Sequence, residues 1–211
     1  MGETSTALRA MSAAEVQQVV GEPVELVQLK VQSALDHHCR AFIERSPFVA
    51  LGTVSADGRA DVSPRGDPAG FVHVLDDQTL AIPERPGNKL ADSLTNVLET
   101  GRVGLLFIVP GVEETLRVNG KGTITDDAEL LEKMAVKGKT PKLAIVLNVE
   151  EAFVHCAKAF RRSSLWDPEK HVERSELPSI GQMIRDQVKP PDLGAEEIEE
   201  FAQEDYRTRM Y

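Results

Sequence analysis

Between Phe48 and Val149 the chain sets short runs of strand-forming residues against connections that are mostly too brief to hold a helix. A parallel sheet needs a crossover of a dozen or more residues between successive strands, so this spacing excludes most α/β architectures. Phe48 to Ser55 is apolar and rich in strand formers, Ala56-Asp57-Gly58-Arg59 supplies a hairpin turn, and Ala60 to Arg65 returns. Phe71 to Leu75 follows, and Asp76-Asp77-Gln78 turns into Thr79 to Pro83. The spacing of Leu90, Leu94, Val97 and Leu98 predicts a helix over Asn88 to Leu98 with those residues inward and Gly101 just past its end. Arg102 to Val109 is a nearly continuous apolar run, expected to be a strand buried on both sides. Pro110-Gly111 turns it into Thr115 to Thr125. A short helix is expected over Asp126 to Met134, and another buried strand over Leu143 to Val149. Seven strands with tight turns and one inserted helix predict an antiparallel barrel or sandwich.

The flanks read as helical. Ser12-Ala13-Ala14-Glu15 has the form of a capping box, and that helix is expected to stop near Gly21-Glu22-Pro23. A second helix runs up to Arg45 with Ala34, Leu35, His38, Cys39, Phe42 and Ile43 on one face, ended by Ser46-Pro47. Beyond the strands, Cys156 to Ser163, Leu177 to Val188 and the acidic stretch Gly194 to Met210 are expected to be helical. With no internal repeat and no low-complexity linker, one domain is expected: N-terminal helices at 10–45, a barrel at about 48–155 and a helical extension at 156–211.

Composition removes several classes of function. The 211 residues are 41% hydrophobic and 27% charged, ordinary for a globular protein, with a formal charge of −10. That charge argues against a general nucleic-acid binder, because phosphate backbones attract cationic surfaces. No apolar run reaches the roughly 20 residues needed to cross a bilayer, so no membrane partner is expected. No basic segment followed by an apolar one opens the chain, and two cysteines make no disulfide framework, so a cytoplasmic setting is expected. Met1-Gly2-Glu3-Thr4-Ser5-Thr6 fits the permissive myristoylation pattern, against which an ordinary leader is the commoner explanation.

Two segments have the chemistry of anion binding. In Asp61-Val62-Ser63-Pro64-Arg65-Gly66 the proline lacks a backbone donor and loosens strand pairing, while the arginine can reach a phosphate. In Ile82-Pro83-Glu84-Arg85-Pro86-Gly87-Asn88-Lys89 a strand end feeds a helix start, whose free amides and dipole favour an anion. Lys89 would sit in the first turn, where a cation opposes the dipole unless an anion is bound. The plain alternatives are a solvated arginine at a strand end and an ordinary Asn88 cap beside an exposed lysine.

With those segments in this order, the chain resembles the flavin-binding split barrels of the pyridoxamine 5′-phosphate oxidase-like superfamily over roughly Phe48 to Val149. The resemblance rests on the hairpin ending in Ser63-Pro64-Arg65, on Ile82-Pro83, and on Asn88-Lys89-Leu90 continuing through Leu94 and Asn96. It implies a mainly β (α+β) fold, a six- to seven-stranded antiparallel split β-barrel with flanking helices. It also implies FMN as cofactor, held between two subunits of a homodimer by Ser63, Pro64, Arg65, Gly66, Ile82, Pro83, Arg85, Asn88 and Lys89. Arg117 falls where such proteins often place another cofactor contact. The segment His155 to Trp166 resembles that of a bacterial branch of the superfamily, in which Trp166 would flank the flavin ring; a core or interface role for this single tryptophan is equally open. The oxidase itself carries a C-terminal arginine-x-histidine against its pyridoxal substrate, and no such pair occurs here, so the vitamin B6 reaction is not expected.

The function expected is therefore an FMN-dependent oxidoreductase acting on a small molecule, with no nameable catalytic acid or base. A non-catalytic flavin-binding or sensing protein is the alternative, and deazaflavin F420 or haem are alternative cofactors. His37-His38-Cys39 and His155-Cys156 lack the spacing of a zinc motif, and no metal is expected. Gly138-Lys139-Thr140 lacks the glycine-rich run of a phosphate-binding loop. His73, on a central strand, could face the core or a pocket, and the acidic C-terminal helix a partner or solvent.

Overall fold

The strands Phe48–Val54 and Arg102–Ile108 bury every second residue, and that alternation fixes which way the sheet faces. In a computed structural model, which describes residues 8–211, strands β1 (Phe48–Val54), β2 (Ala60–Gly66), β3 (His73–Val74), β4 (Thr79–Pro83), β5 (Arg102–Ile108), β6 (Thr115–Thr125) and β7 (Ala144–His155) form one antiparallel sheet. Its order is β2-β1-β5-β6-β7-β4-β3, and every pairing is antiparallel. The sheet curls without closing: β2 and β3 lie at its two edges and share no ladder, as in a split barrel. The myristoylation pattern at residues 1–6 lies outside the described residues.

The core is the inner face. Val49 pairs with Phe107 and Leu51 with Leu105, and these continue onto Leu116 and Val118 of β6, all buried. Leu80 and Ile82 of β4 and Ile145 and Leu147 of β7 complete the cluster. Helix α4 (Asp92–Thr100) packs against β1 and β6, with Val97 in the core. Helix α3 (His37–Arg45) adds Cys39 and Ile43 and ends at Ser46, whose buried Oγ lies 2.7 Å from Phe48 O and 2.8 Å from Ile108 O. A smaller cluster of Ala81, Leu131, Met134 and Ala144 lies beneath α5 (Ala128–Lys133).

Three sequence expectations change. Strand β5 is buried on one face only: Val103, Leu105 and Phe107 point inward, while Gly104, Leu106 and Ile108 stay partly open among the described residues. The same outer face leaves Phe48 37% and Val62 73% exposed. The inserted helix starts at Asp92 rather than Asn88, so Leu90 lies exposed before it, and of the four predicted inward residues only Leu94 and Val97 pack on the core, Leu98 facing solvent. His38 is exposed, because Asp36 caps α3 late and places Cys39 and Ile43, one turn apart, on the buried face.

The chain divides into one unit ending at Val31 and another spanning Gln32–Tyr211. In the first, α1 (Ala13–Val20) carries the expected reciprocal Ser12–Glu15 cap and stops at Gly21, and α2 (Glu25–Leu29) follows. In the second, β7 leads into α6 (Lys158–Ser163), α7 (Ile180–Val188) and α8 (Ala195–Thr208). Gly181 makes the α7–α8 approach possible, since a Cβ there would lie 2.2 Å from Ala195 O. No helix among the described residues is long and apolar enough to cross a membrane.

Opposite the register shift between Asn119 and Gly120 of β6, strand β7 carries one extra residue, Glu150, and a Cβ on Gly120 would lie 2.0 Å from the backbone oxygen of Asn148. The bulge lets two long strands stay paired while the sheet curls. Gly120→Ala is expected to cost about 3 kcal/mol, since backbone must move. Gly104→Ala meets only the Asn119 side chain, at 3.2 Å, and is expected to cost less than about 1 kcal/mol. Thermal unfolding of the two variants tests the difference.

Candidate functional site

Cross-strand register decides which β2 side chains face the interior. Arg65 lies opposite Val49, Ser63 opposite Leu51 and Asp61 opposite Thr53, so all three share the face of the core. Pro64 and Gly66 face outward, and a Cβ on Gly66 would meet nothing closer than 3.5 Å, so no steric demand selects glycine there. The inward residues form a polar chain. Arg65 Nε donates to Ser63 Oγ at 3.3 Å, and Ser63 Oγ lies 3.0 Å from Ser93 Oγ in the first turn of α4. Ser93 donates to Asp61 at 2.8 Å, and Asn96 donates to Thr53 at 3.0 Å. The end of β2 and the start of α4 are thereby one hydrogen-bonded unit.

The same end of β2 is tied to the end of β4 by two reciprocal ion pairs. Arg65 pairs with Glu84, and Arg85 donates from Nε to Asp67 at 2.5 Å. Adjacent residues of the β4–α4 loop thus reach in different directions, Glu84 to Arg65 and Arg85 to Asp67. Arg85 also donates to Met134 O at 2.8 Å. Asp67 is 1% exposed, and its second oxygen accepts from the Tyr211 hydroxyl at 2.7 Å.

Lys89 is exposed, and no carboxylate pairs with it among the described residues. It and Ala91 both hold left-handed backbone, with φ of 63° and 57°. Asn88 does not cap the helix: its Oδ1 accepts from Leu90 N at 3.1 Å in a local turn. Ala91, at the cap position before Asp92, gives α4 no side-chain cap, so its first amides lack a side-chain acceptor, with Lys89 two residues upstream of that position. Ile82 and Pro83 are buried and paired with Ile145 and Ala144 of β7, so they position the loop.

Arg117 and Trp166 stand apart from this group. Arg117 lies opposite Leu106, on the outer sheet face away from Arg65. It donates to Glu151 at 2.9 Å, sits 4.2 Å over the Phe153 ring, and keeps its Nε buried without a partner. Trp166 donates from Nε1 to Val112 O at 2.8 Å in the β5–β6 turn and packs near Phe160. One chain therefore gathers Ser63, Arg65, Glu84 and the start of α4, and holds Arg117 and Trp166 elsewhere.

Two concavities accompany the site. An open groove of about 410 Å3 runs over the outer face past Gly52, Gly104, Asn119 and Val62, within the roughly 300–1,000 Å3 of small-molecule sites. A smaller cavity of about 160 Å3 is lined by Phe71, His73, Arg85 and Met134. His73 thus faces a cavity, and burial together with the Arg85 charge holds its pKa below the usual value, favouring the neutral ring. Of the histidine–cysteine clusters, the donor atoms of Asp36, His37 and His38 lie within 4.8 Å of one another. Cys39 is buried, and that burial pushes its thiol up to about 11, which disfavours the thiolate a metal needs.

The sequence singles out Arg65 and Arg85 but not the pairing of Arg65 with Glu84 and Arg85 with Asp67. The signal was present: Arg65-Gly66-Asp67 and Glu84-Arg85 carry opposite signs in complementary order. Ser93 and Tyr211 carried no comparable signal, since their partners lie 30 and 144 residues away.

Solved structures with a related arrangement include a candidate pyridoxamine 5′-phosphate oxidase from Lactobacillus delbrueckii, 26% identical, covering 58% of this chain and 95% of that one with a TM-score of 0.46. An FMN-binding protein from Syntrophomonas wolfei is 13% identical over 68% of this chain and 96% of that one, with a TM-score of 0.42. HutZ, the haem storage protein of Vibrio cholerae, is 16% identical over 57% of this chain and 93% of that one, again at 0.42. No curated protein matches the chain in sequence. The family model for pyridoxamine 5′-phosphate oxidase matches residues 35–156, more than half of the chain and all seven strands, and the chain belongs to that family.

Proposed function

We propose that this chain is an FMN-binding flavoprotein, an oxidoreductase that acts on a small molecule in the cytoplasm as a homodimer with the cofactor at the subunit interface. The observation that carries the reading is the uncapped start of α4 beside unpaired Lys89, hydrogen-bonded through Ser93 and Ser63 to the strand that bears Arg65. Free amides at a helix N-terminus and an unpaired ammonium suit the phosphate end of FMN. The outer sheet face, with Phe48, Ala50, Gly52, Leu106 and Ile108 incompletely covered, suits a second subunit.

Within this reading Lys89 and the first amides of α4 hold the phosphate. Arg65 joins them by exchanging Glu84 for the incoming anion, and the Ser63–Ser93 contact keeps strand and helix in register as it does so. Arg117 and Trp166 lie where only a cofactor reaching across the sheet, or a second subunit, would bring them to the same ring. FMN supplies hydride acceptance and donation at its own ring, so the chain's task is to bind, orient and control access. The vitamin B6 reaction is not part of the proposal, because the arginine-x-histidine pair is missing from the sequence.

The protein as purified, or after incubation with FMN, is expected to show flavin absorbance. A haem or deazaflavin spectrum in its place would move the cofactor assignment, and a colourless protein that takes up no FMN would remove it. Arg65→Ala with Lys89→Ala is expected to weaken FMN binding at least about 100-fold, the loss of two charged contacts. Glu84→Gln should do the reverse and tighten FMN by about 3- to 10-fold, because Arg65 no longer has to leave a carboxylate. Fluorescence titration measures both, and a Glu84→Gln protein that binds FMN more weakly would show that Arg65 does not change partners.

A further inference from the structure

We propose that Tyr211 is a positioning residue for the candidate cofactor site, holding the ends of β2 and β4 together through Asp67 and Arg85. The inference rests on the FMN reading for its consequence but not for its geometry. Asp67 directly follows β2, and Arg85 lies two residues past β4. These two strand ends share no backbone ladder, so side chains alone join them. Tyr211 donates its hydroxyl to Asp67 Oδ1 at 2.7 Å while Arg85 donates to Oδ2 at 2.5 Å, so each carboxylate oxygen has a donor.

The ring adds a second hold. The Arg85 guanidinium lies 5.6 Å and the Lys137 ammonium 5.4 Å from its centroid, distances at which a cation is attracted to an aromatic face. The hydrogen bond to Asp67 also raises the tyrosine pKa, which keeps the phenol neutral and donating. Asp67 is almost fully buried, so a carboxylate left with one partner there would be poorly solvated. The segment beyond α8 therefore serves as a strap across the opening of the barrel. It fixes Arg85, and through the adjacent Glu84 it fixes the partner from which Arg65 is drawn.

Amide hydrogen exchange on the FMN-free protein, for wild type, Tyr211→Phe and Tyr211→Ala, tests the strap without any cofactor. Tyr211→Ala is expected to raise exchange in residues 62–67 and 84–91 by about tenfold, the scale of one lost hydrogen bond to a charged group, with β5 and β6 unchanged. Tyr211→Phe, which keeps the ring near both cations, should recover part of that protection. In stopped flow, FMN should leave the Tyr211→Ala protein faster by a similar factor. Unchanged exchange in the two segments, or an equal rise across β5 and β6, would overturn the proposal. Raised exchange confined to the two segments, in a protein that binds no FMN, would keep the strap and remove the flavin assignment.

Discussion

Arg65–Glu84 and Arg85–Asp67 cross the gap between two strand ends that no backbone ladder joins. An antiparallel sheet that curls without closing leaves edge groups unpaired, and something other than the ladder must hold the edges near each other. Here two ion pairs with reversed polarity do so, a cation from β2 to an anion beyond β4 and the converse. Reversal makes the contact specific, because sliding one segment past the other would bring like charges together. Both pairs are substantially buried, so removing one member strands its partner in poor solvent, a loss of about 3–5 kcal/mol for buried pairs in general.

The arrangement also changes what the basic residues can do. An arginine facing an empty cleft binds an anion at no internal loss. Arg65 instead already has a carboxylate, so any anion that takes it competes with Glu84. Lys89 carries no such handicap, and the left-handed residues on either side of Leu90 hold the loop in a conformation that L-residues avoid. Under the proposed function, anion affinity here would be a balance between an unpaired ammonium and a guanidinium already held by Glu84.

Most of the architecture was legible in the sequence because tight turns and period-two burial are local properties. Gly58, Pro110-Gly111 and Gly101 marked turns and a helix end where the structure has them. The start of α4 was misread for a physical reason: Asn88 is a good helix cap, but it satisfies Leu90 N in a turn of its own and delays the helix to Asp92. Strand β5 was read as buried on both sides because its residues are apolar on both. Hydrophobicity reports a preference for burial, and only the topology shows that its outer face stays partly open among the described residues. Arg65 and Lys89 were singled out from residue type and context, whereas the pairing of Glu84, Asp67 and Tyr211 with the arginines required knowing how the sheet curls.

The bare beginning of α4 has a consequence for how this molecule can evolve or be engineered. Serine or aspartate at Ala91 could strengthen that helix only if the residue left its left-handed conformation for extended backbone, from which a side-chain oxygen reaches the first amides. The added oxygen would also occupy the place where an anionic ligand is proposed to sit. If the proposed site is right, a stronger start to α4 would weaken ligand binding, a trade between stability and function.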